Sequence, residues 1–190
     1  SNPYVTETTL CNPKNVYEKT KYEAEKIVLS AKLNMNICIL RPTNVVSYSV
    51  PGILTSCMRN NWKDKIKIYI KGKENAHLVY AKDVASAALH FMKNKISGTN
   101  IYLVACDDDK QNTFAGVYNM FHRINNNKIN KISFSLPIFI PNLLRKLFRG
   151  KSLHGSVLFS NEKLILSGFE FNYNIEECLK DICRISKEEH

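Results

Sequence analysis

The 190-residue sequence predicts an α/β fold with parallel strands, on three observations. Residues 36–40 and 99–105 are short, uncharged apolar runs with the length and composition of strands buried on both faces. Residues 15–31, 113–124 and those following 174 place apolar side chains at helical spacing. The two kinds of segment alternate along the chain, as they do where a helix carries the chain from one strand to its parallel neighbour.

The length suits one domain with a sizeable core. No run approaches the roughly 20 apolar residues of a membrane span, and residues 1–10 lack the basic and apolar regions of a signal peptide, so the expected location is the cytoplasm. Twenty-seven basic against 17 acidic residues give a formal charge of +10, which suits nucleic acid, anionic lipid or a phosphorylated small molecule and does not choose among them. Lysine and asparagine are both abundant, a bias that genome composition also produces; a nucleic-acid partner is not expected. The six cysteines form no Cys-x-x-Cys pair and several lie in apolar runs, which reads as reduced core thiols without disulfides or zinc. The five histidines are scattered, with no two at helical ligand spacing, so no metal site is expected.

Taken in order, residues 1–12 form an irregular lead-in, broken by Pro3, the Thr8-Thr9 pair and Asn12-Pro13. A helix is expected over 15–31, favoured by Glu18, Lys19, Lys21, Glu23, Ala24 and Glu25 and closed by apolar Ile27, Val28 and Leu29. Within it Tyr17 and Lys21 stand four residues apart, which sets phenol and ammonium on one face. A free phenol titrates near pH ~10, so a tyrosine exchanging protons near neutrality needs a shift of about three units, roughly 4 kcal/mol, and an adjacent ammonium favours the phenolate. The plain alternative is that the two are simply neighbours on an amphipathic helix.

A buried strand follows at 36–40, ended by Arg41-Pro42, and 51–60 reads as helical. Residues 65–71 alternate lysine with apolar residues, predicting a half-exposed strand with Ile66, Ile68 and Ile70 on one face and a solvated lysine row guarding its edge, stopped by Gly72. From His77 a third apolar strand leads to a helix for which Asp83 is the expected N-cap, running to residue 94. After the 99–105 strand come a turn at 107–110 and a helix at 113–124 with Phe114, Val117, Tyr118 and Phe121 on its apolar face. Residues 132–136 read as a strand. In 137–149, Leu144, Leu147 and Phe148 form a stripe beside Arg145, Lys146 and Arg149, suited to capping a pocket or to lying on a lipid surface. A short helix ends at Gly168-Phe169, and Asn174 with Glu177 approximates a capping box for a last helix lined by Ile175, Cys178, Leu179 and Ile182.

Four of these segments share a family resemblance. Tyr17-x-x-x-Lys21 is flanked by Pro13, Thr20 and Glu25; Leu40-Arg41-Pro42-Thr43-Asn44-Val45-Val46-Ser47 follows the second strand; Asp83-Val84-Ala85 opens a helix after the third; and Gly168-Phe169 closes the late short helix. Together they resemble the extended short-chain dehydrogenase/reductase family, the NAD-dependent epimerase/dehydratase group. The resemblance implies the C-terminal part of a Rossmann-like doubly wound sheet plus the substrate-binding lobe. Residues 1–48 would carry the catalytic helix and the strand after it, and 49–190 mostly the substrate lobe with interleaved Rossmann-like elements. It implies Tyr17 and Lys21 as catalytic and cofactor-binding residues, Thr43 as a cofactor contact and Asn44 as a substrate contact. It further implies NAD or NADP as cofactor, a nucleotide-sugar substrate and a homodimer formed through the catalytic helix.

The departures are specific. Glu18 replaces a usual small residue, Ser47 replaces a glycine, and Ala76 stands where nucleotide-sugar epimerases commonly carry an arginine for the diphosphate. Before Tyr17 there is no glycine-rich turn to hold a pyrophosphate and no upstream catalytic Ser or Thr, and the seven glycines are dispersed. The expectation is therefore a C-terminal fragment of a longer enzyme, inactive alone, with the 36–40 strand lacking a neighbour and prone to self-association. Two other readings fit the same residues: a same-fold reductase or dehydrogenase of a non-nucleotide ketone or alcohol, and a noncatalytic binding or regulatory relative.

Overall fold

The computed structural model of the chain describes residues 4–31, 34–59, 61–94, 96–125, 132, 135–137 and 154–188. A short strand, β1 (Tyr4–Val5), precedes helix α1 (Val16–Ser30) and strands β2 (Ile37–Pro42) and β3 (Asn44–Val46). A 3-10 turn at Gly52–Leu54 leads into α2 (Thr55–Arg59) and α3 (Trp62–Lys71). Then come β4 (Leu78–Tyr80), α4 (Ala81–Lys93), β5 (Thr99–Val104) and α5 (Phe114–Ile124). Strand β6 (Leu158–Phe159) and helices α6 (Glu162–Leu166) and α7 (Ile175–Glu188) complete the described chain.

Among the described residues the three pairings between strands are parallel: β1 with β6, β2 with β5 and β3 with β4. Parallel strands need crossovers, and helices supply them here. Strands β2 and β3 are nearly continuous, and the kink at Thr43 changes their partner. The Thr43 amide donates to Val104 O at the end of β5, and the next amide, Asn44, donates to His77 O beside β4. Strand β2 is thus paired with β5 from Ile37↔Thr99 to Pro42↔Val104, which corrects the expectation of a 36–40 strand without a neighbour.

Side-chain alternation along β4 separates two apolar clusters. Leu78 and Tyr80 enter one with Val46, Leu54, Ile68, the inner faces of α5 (Val117, Tyr118, Phe121) and α7 (Ile175, Leu179, Ile182). Val79 enters the other with Ala87, Phe91, Tyr102, Val104, Leu164 and Phe169. The expected apolar faces of the 113–124 helix and of the last helix are therefore buried as read, with Phe114 only partly so.

Local chemistry accounts for the helix ends. Asn15 Oδ1 accepts from the Glu18 amide at 2.8 Å while Glu18 Oε2 accepts from the Lys14 amide at 2.7 Å and the Asn15 amide at 3.4 Å, a capping box that gives the unusual Glu18 a structural role. Asn174 and Glu177 exchange the same pair of bonds, each 2.9 Å, at the start of α7. Gly168, at φ 84°, takes the left-handed turn after α6 that a side chain would strain.

Two further expectations are corrected. Residues 65–71 are helical, not a strand: Asn61 Oδ1 caps α3 by accepting from the Asp64 amide at 2.8 Å, and the face carrying Asp64 and Ile68 packs inward, so Ile66 points out. Asp83 is not the N-cap of α4, which starts two residues earlier after Tyr80; its buried carboxylate accepts instead from the Asn172 amide at 2.9 Å, tying the turn before α7 to α4. The centre of the expected 132–136 strand, residues 133 and 134, lies outside the described residues; on either side of it Asn119 Oδ1 accepts from the Ile132 amide at 2.9 Å and Tyr69 O from the Leu136 amide at 3.2 Å. The stripe of Leu144, Leu147 and Phe148 lies outside the described residues. Among the described residues no helix is long and apolar enough to cross a membrane.

Candidate active site

The capping box fixes where α1 begins, and so puts Tyr17 in its first turn with Lys21 one turn on. Lys21 Nζ lies 5.7 Å from the centre of the Tyr17 ring. Both side chains are open to solvent, Tyr17 at 70% of its full exposure, and α1 has no buried residue. Four residues further along the same ridge, Glu25 receives Arg41 in a two-bond fork, Nε to Oε2 at 2.9 Å and Nη2 to Oε1 at 2.5 Å. That carboxylate holds the Arg41 guanidinium even further above its ordinary pKa, and Arg41 Nη1 also donates to Glu7 O at 3.3 Å. Glu7 in turn accepts from the Leu103 amide at 2.8 Å, so the lead-in, α1, β2 and β5 are joined through Glu7, Glu25 and Arg41.

Two residues beyond Arg41 the chain kinks at Thr43, at the carboxyl end of β2. Crevices outside the carboxyl ends of parallel strands are where open α/β sheets take their ligands. Thr43 Oγ1 leans on Val104 O at 3.4 Å, and Asn44 Nδ2 donates to Ala76 O at 2.7 Å. The Asn44 amide is thus partly committed to the backbone beside β4, while its carbonyl oxygen accepts nothing from a described residue. Tyr17 stands with Lys21, and Thr43 beside Asn44; no hydrogen bond among the described residues joins one pair to the other, and the Glu25–Arg41 fork is the link between their elements.

The segment that receives Asn44 is itself held firmly. Ala76 is fully buried, and the buried Asn112 flanks it from the other side: its main-chain O accepts from the Ala76 amide at 2.8 Å, Oδ1 accepts from the Leu78 amide at 2.9 Å, and Nδ2 donates to Leu78 O and Cys106 O at 3.0 Å. His77, at φ 53°, is the only non-glycine in the left-handed region among the described residues. Its buried ring meets Asp107 Oδ2 through Nδ1 at 2.6 Å, and the same oxygen accepts from the Phe159 amide at 2.8 Å. Neither Asn112 nor the His77–Asp107 pair is legible in the sequence, because the partners lie 34 and 30 residues apart and match no spacing rule.

Cys57 and Cys178 are buried, and burial pushes both up to about 12, which leaves them unreactive. No group of three or more His, Cys, Asp and Glu among the described residues is placed to hold a metal ion.

For a nicotinamide cofactor the donor set fits at one end. The Tyr17 hydroxyl and the Lys21 ammonium are exposed, make no hydrogen bond to another described side chain, and suit ribose hydroxyls; Thr43 stands at the strand end. At the pyrophosphate end the chain offers no clustered glycines, so these residues do not supply that cradle.

A family model described as the NAD dependent epimerase/dehydratase family matches residues 2–105, the stretch that holds Tyr17, Lys21, Thr43 and Asn44. No curated protein is matched by sequence. Among solved structures, the UDP-glucose 4-epimerase of Thermotoga maritima with UDP-glucose is similar over 98% of this chain and 58% of its own, at TM-score 0.67 and 16% identity. RMD from Pseudomonas aeruginosa, complexed with NADPH, is similar over 96% and 59%, at TM-score 0.66 and 17% identity. Vestitone reductase from alfalfa is similar over 99% and 59%, at TM-score 0.62 and 16% identity. These likenesses establish the Rossmann-like α/β fold, and the chain spans about three fifths of the length of each structure.

Proposed function

Because the chain belongs to the NAD-dependent epimerase/dehydratase family, we propose that it supplies the acid/base and substrate-facing part of an NAD(P)-dependent enzyme acting on a nucleotide-activated sugar. The observation that carries this reading is the Lys21 ammonium beside Tyr17 on α1, a helix locked through Glu25 and Arg41 to the strand that ends in Thr43 and Asn44. On this reading residues 1–48 carry proton transfer and cofactor contact, and 49–190 mostly the substrate lobe with interleaved Rossmann-like elements.

A nicotinamide cofactor, which Tyr17, Lys21 and Thr43 would hold, would supply the hydride acceptor for the substrate carbinol carbon. Tyr17, as phenolate, takes the hydroxyl proton as the carbon becomes a carbonyl. Lys21 favours the phenolate and donates to the ribose hydroxyls. Thr43 positions the cofactor, and Asn44 presents its carbonyl oxygen to a sugar hydroxyl, its amide being held by Ala76 O. Epimerisation, dehydration and reduction share this proton transfer and differ in their later steps.

A second reading has its own observation. Ala76 is fully buried and its carbonyl is occupied, so position 76 offers no cation to a diphosphate. That favours a smaller ketone or alcohol as substrate, on the same Tyr17 and Lys21. Hydride transfer by the complete gene product, monitored as NAD(P)H absorbance with UDP- and dTDP-sugars and with simple secondary alcohols, tests both. Tyr17→Phe is expected to lower turnover by about a hundredfold or more. Unchanged turnover in that variant would remove Tyr17 from the mechanism.

A further inference from the structure

Helix α3 turns a second face to solvent that the site does not use. With Asp64 and Ile68 packed inward, the outward stripe is Trp62 and Ile66, four residues apart, and it ends at the half-exposed Tyr69, whose main-chain O accepts from the Leu136 amide at 3.2 Å. Trp62 keeps 67% and Ile66 48% of their full exposure, which is unusual for large apolar side chains set side by side on a helix. Lysines border the stripe: Lys65 on one flank, Lys63 and Lys67 on the other. Lys63 Nζ stands 5.7 Å from the Trp62 ring, and Lys67 pairs with Asp64, the helix's single acidic residue, at 3.0 Å. Asp64 offsets Lys67, so the positive charge of the outward face rests on Lys63 and Lys65.

We propose that the outward face of α3 is a peripheral docking surface for an anionic lipid bilayer. An aromatic and aliphatic band with lysines along both borders is the arrangement that lets a helix lie in the interface, rings among the headgroups and ammonium groups at the phosphates. The charge complementarity is direct, and a chain of +10 adds long-range attraction to an anionic leaflet. A nucleic acid fits less well: Ile66, at the centre of the band, can neither stack on a base nor hydrogen-bond to a phosphate. A second copy packed through the same face would bring the lysine borders of both helices together, and like charges repel. The inference does not rest on the proposed catalysis, and it concerns lying on a membrane, not spanning one.

Flotation of the protein with phosphatidylcholine vesicles, with and without phosphatidylserine, tests it. Trp62, the single tryptophan of the 190 residues, serves as the depth probe. Expected are flotation with the anionic vesicles that salt reverses, a blue shift of the tryptophan emission, and its quenching by brominated acyl chains. Each of Lys63→Gln and Lys65→Gln is expected to lower partitioning about fivefold. These side chains are exposed, so circular dichroism of the variants should match the parent. Three results overturn the proposal: no flotation with anionic vesicles, flotation that neither lysine substitution weakens, or a tryptophan response to DNA and not to vesicles. A salt-insensitive dimer that Ile66→Asp dissociates, without vesicle binding, assigns the face to a second copy and overturns it too.

Discussion

Arg41 grips Glu25 with two parallel hydrogen bonds, and through that fork the helix bearing Tyr17 and Lys21 is fastened to the strand that ends at Thr43 and Asn44. The helix has no buried residue, and among the described residues this pair, at 17–23% side-chain exposure, is the most enclosed ion pair α1 makes. Arg41→Lys keeps the charge and loses the planar fork, which is expected to cost about 2 kcal/mol in urea unfolding. Glu25→Gln should cost a similar amount, and the double variant little more than either alone. Fully additive losses would mean that the two side chains act independently.

Much of this is legible in the residues themselves, and the remainder is hidden for physical reasons. The 15–31 helix carries its own start signal in Asn15 and Glu18, and its Tyr17–Lys21 spacing needs no tertiary partner to set both on one face. Residues 65–71 mislead because Ile66, Ile68 and Ile70 match a period of two. Asn61 and Asp64 just upstream are a cap and an acidic first turn, and those local signals outweigh the alternation. Asp83 resembles a cap because it stands in a helix's first turn, yet its bond goes to Asn172, 89 residues on, and separations of that kind leave no pattern in a sequence.

Asn112 organises the strand edge on which Asn44 rests. Asn112→Ala leaves the Leu78 amide, Leu78 O and Cys106 O without their partner in a buried place, and a loss of about 3 kcal/mol is expected. Asn112→Asp keeps an acceptor for the Leu78 amide but faces two carbonyls with a carboxylate, and should not rescue. Calorimetric melting of both variants checks this, and equal melting of the parent and the alanine variant would refute it.

Acid sensitivity should pass through Asp181. Lys82 Nζ, Tyr80 Oη and Arg184 Nη2 all donate to its carboxylate, at 2.5, 2.7 and 2.6 Å. Lys82 foremost, with Tyr80 and Arg184, holds its carboxyl well below the usual carboxylate range. A folded-state value below the unfolded one, ~3.9, means that this stabilisation is present above about pH 4 and is lost as pH falls through the depressed value. Asp181→Asn should therefore be less stable than the parent at neutral pH, and the gap should close on acidification. A gap that stays constant from neutral pH down to pH ~3 would exclude the carboxylate as its source.

His77 combines a strained backbone with a buried partner, and two substitutions separate the contributions. At φ 53° any side chain with a Cβ is disfavoured, so His77→Gly relieves strain that His77→Ala retains. Both leave Asp107 buried without the imidazole, a loss expected to reach about 3 kcal/mol because the Phe159 amide alone remains to solvate it. Both variants should thus be less stable than the parent, with the glycine variant the better of the two by about 1 kcal/mol. Denaturant midpoints measure each difference directly. An alanine variant as stable as the glycine one would show that the left-handed backbone at residue 77 stores no strain, and a glycine variant as stable as the parent would show that Asp107 does not depend on His77.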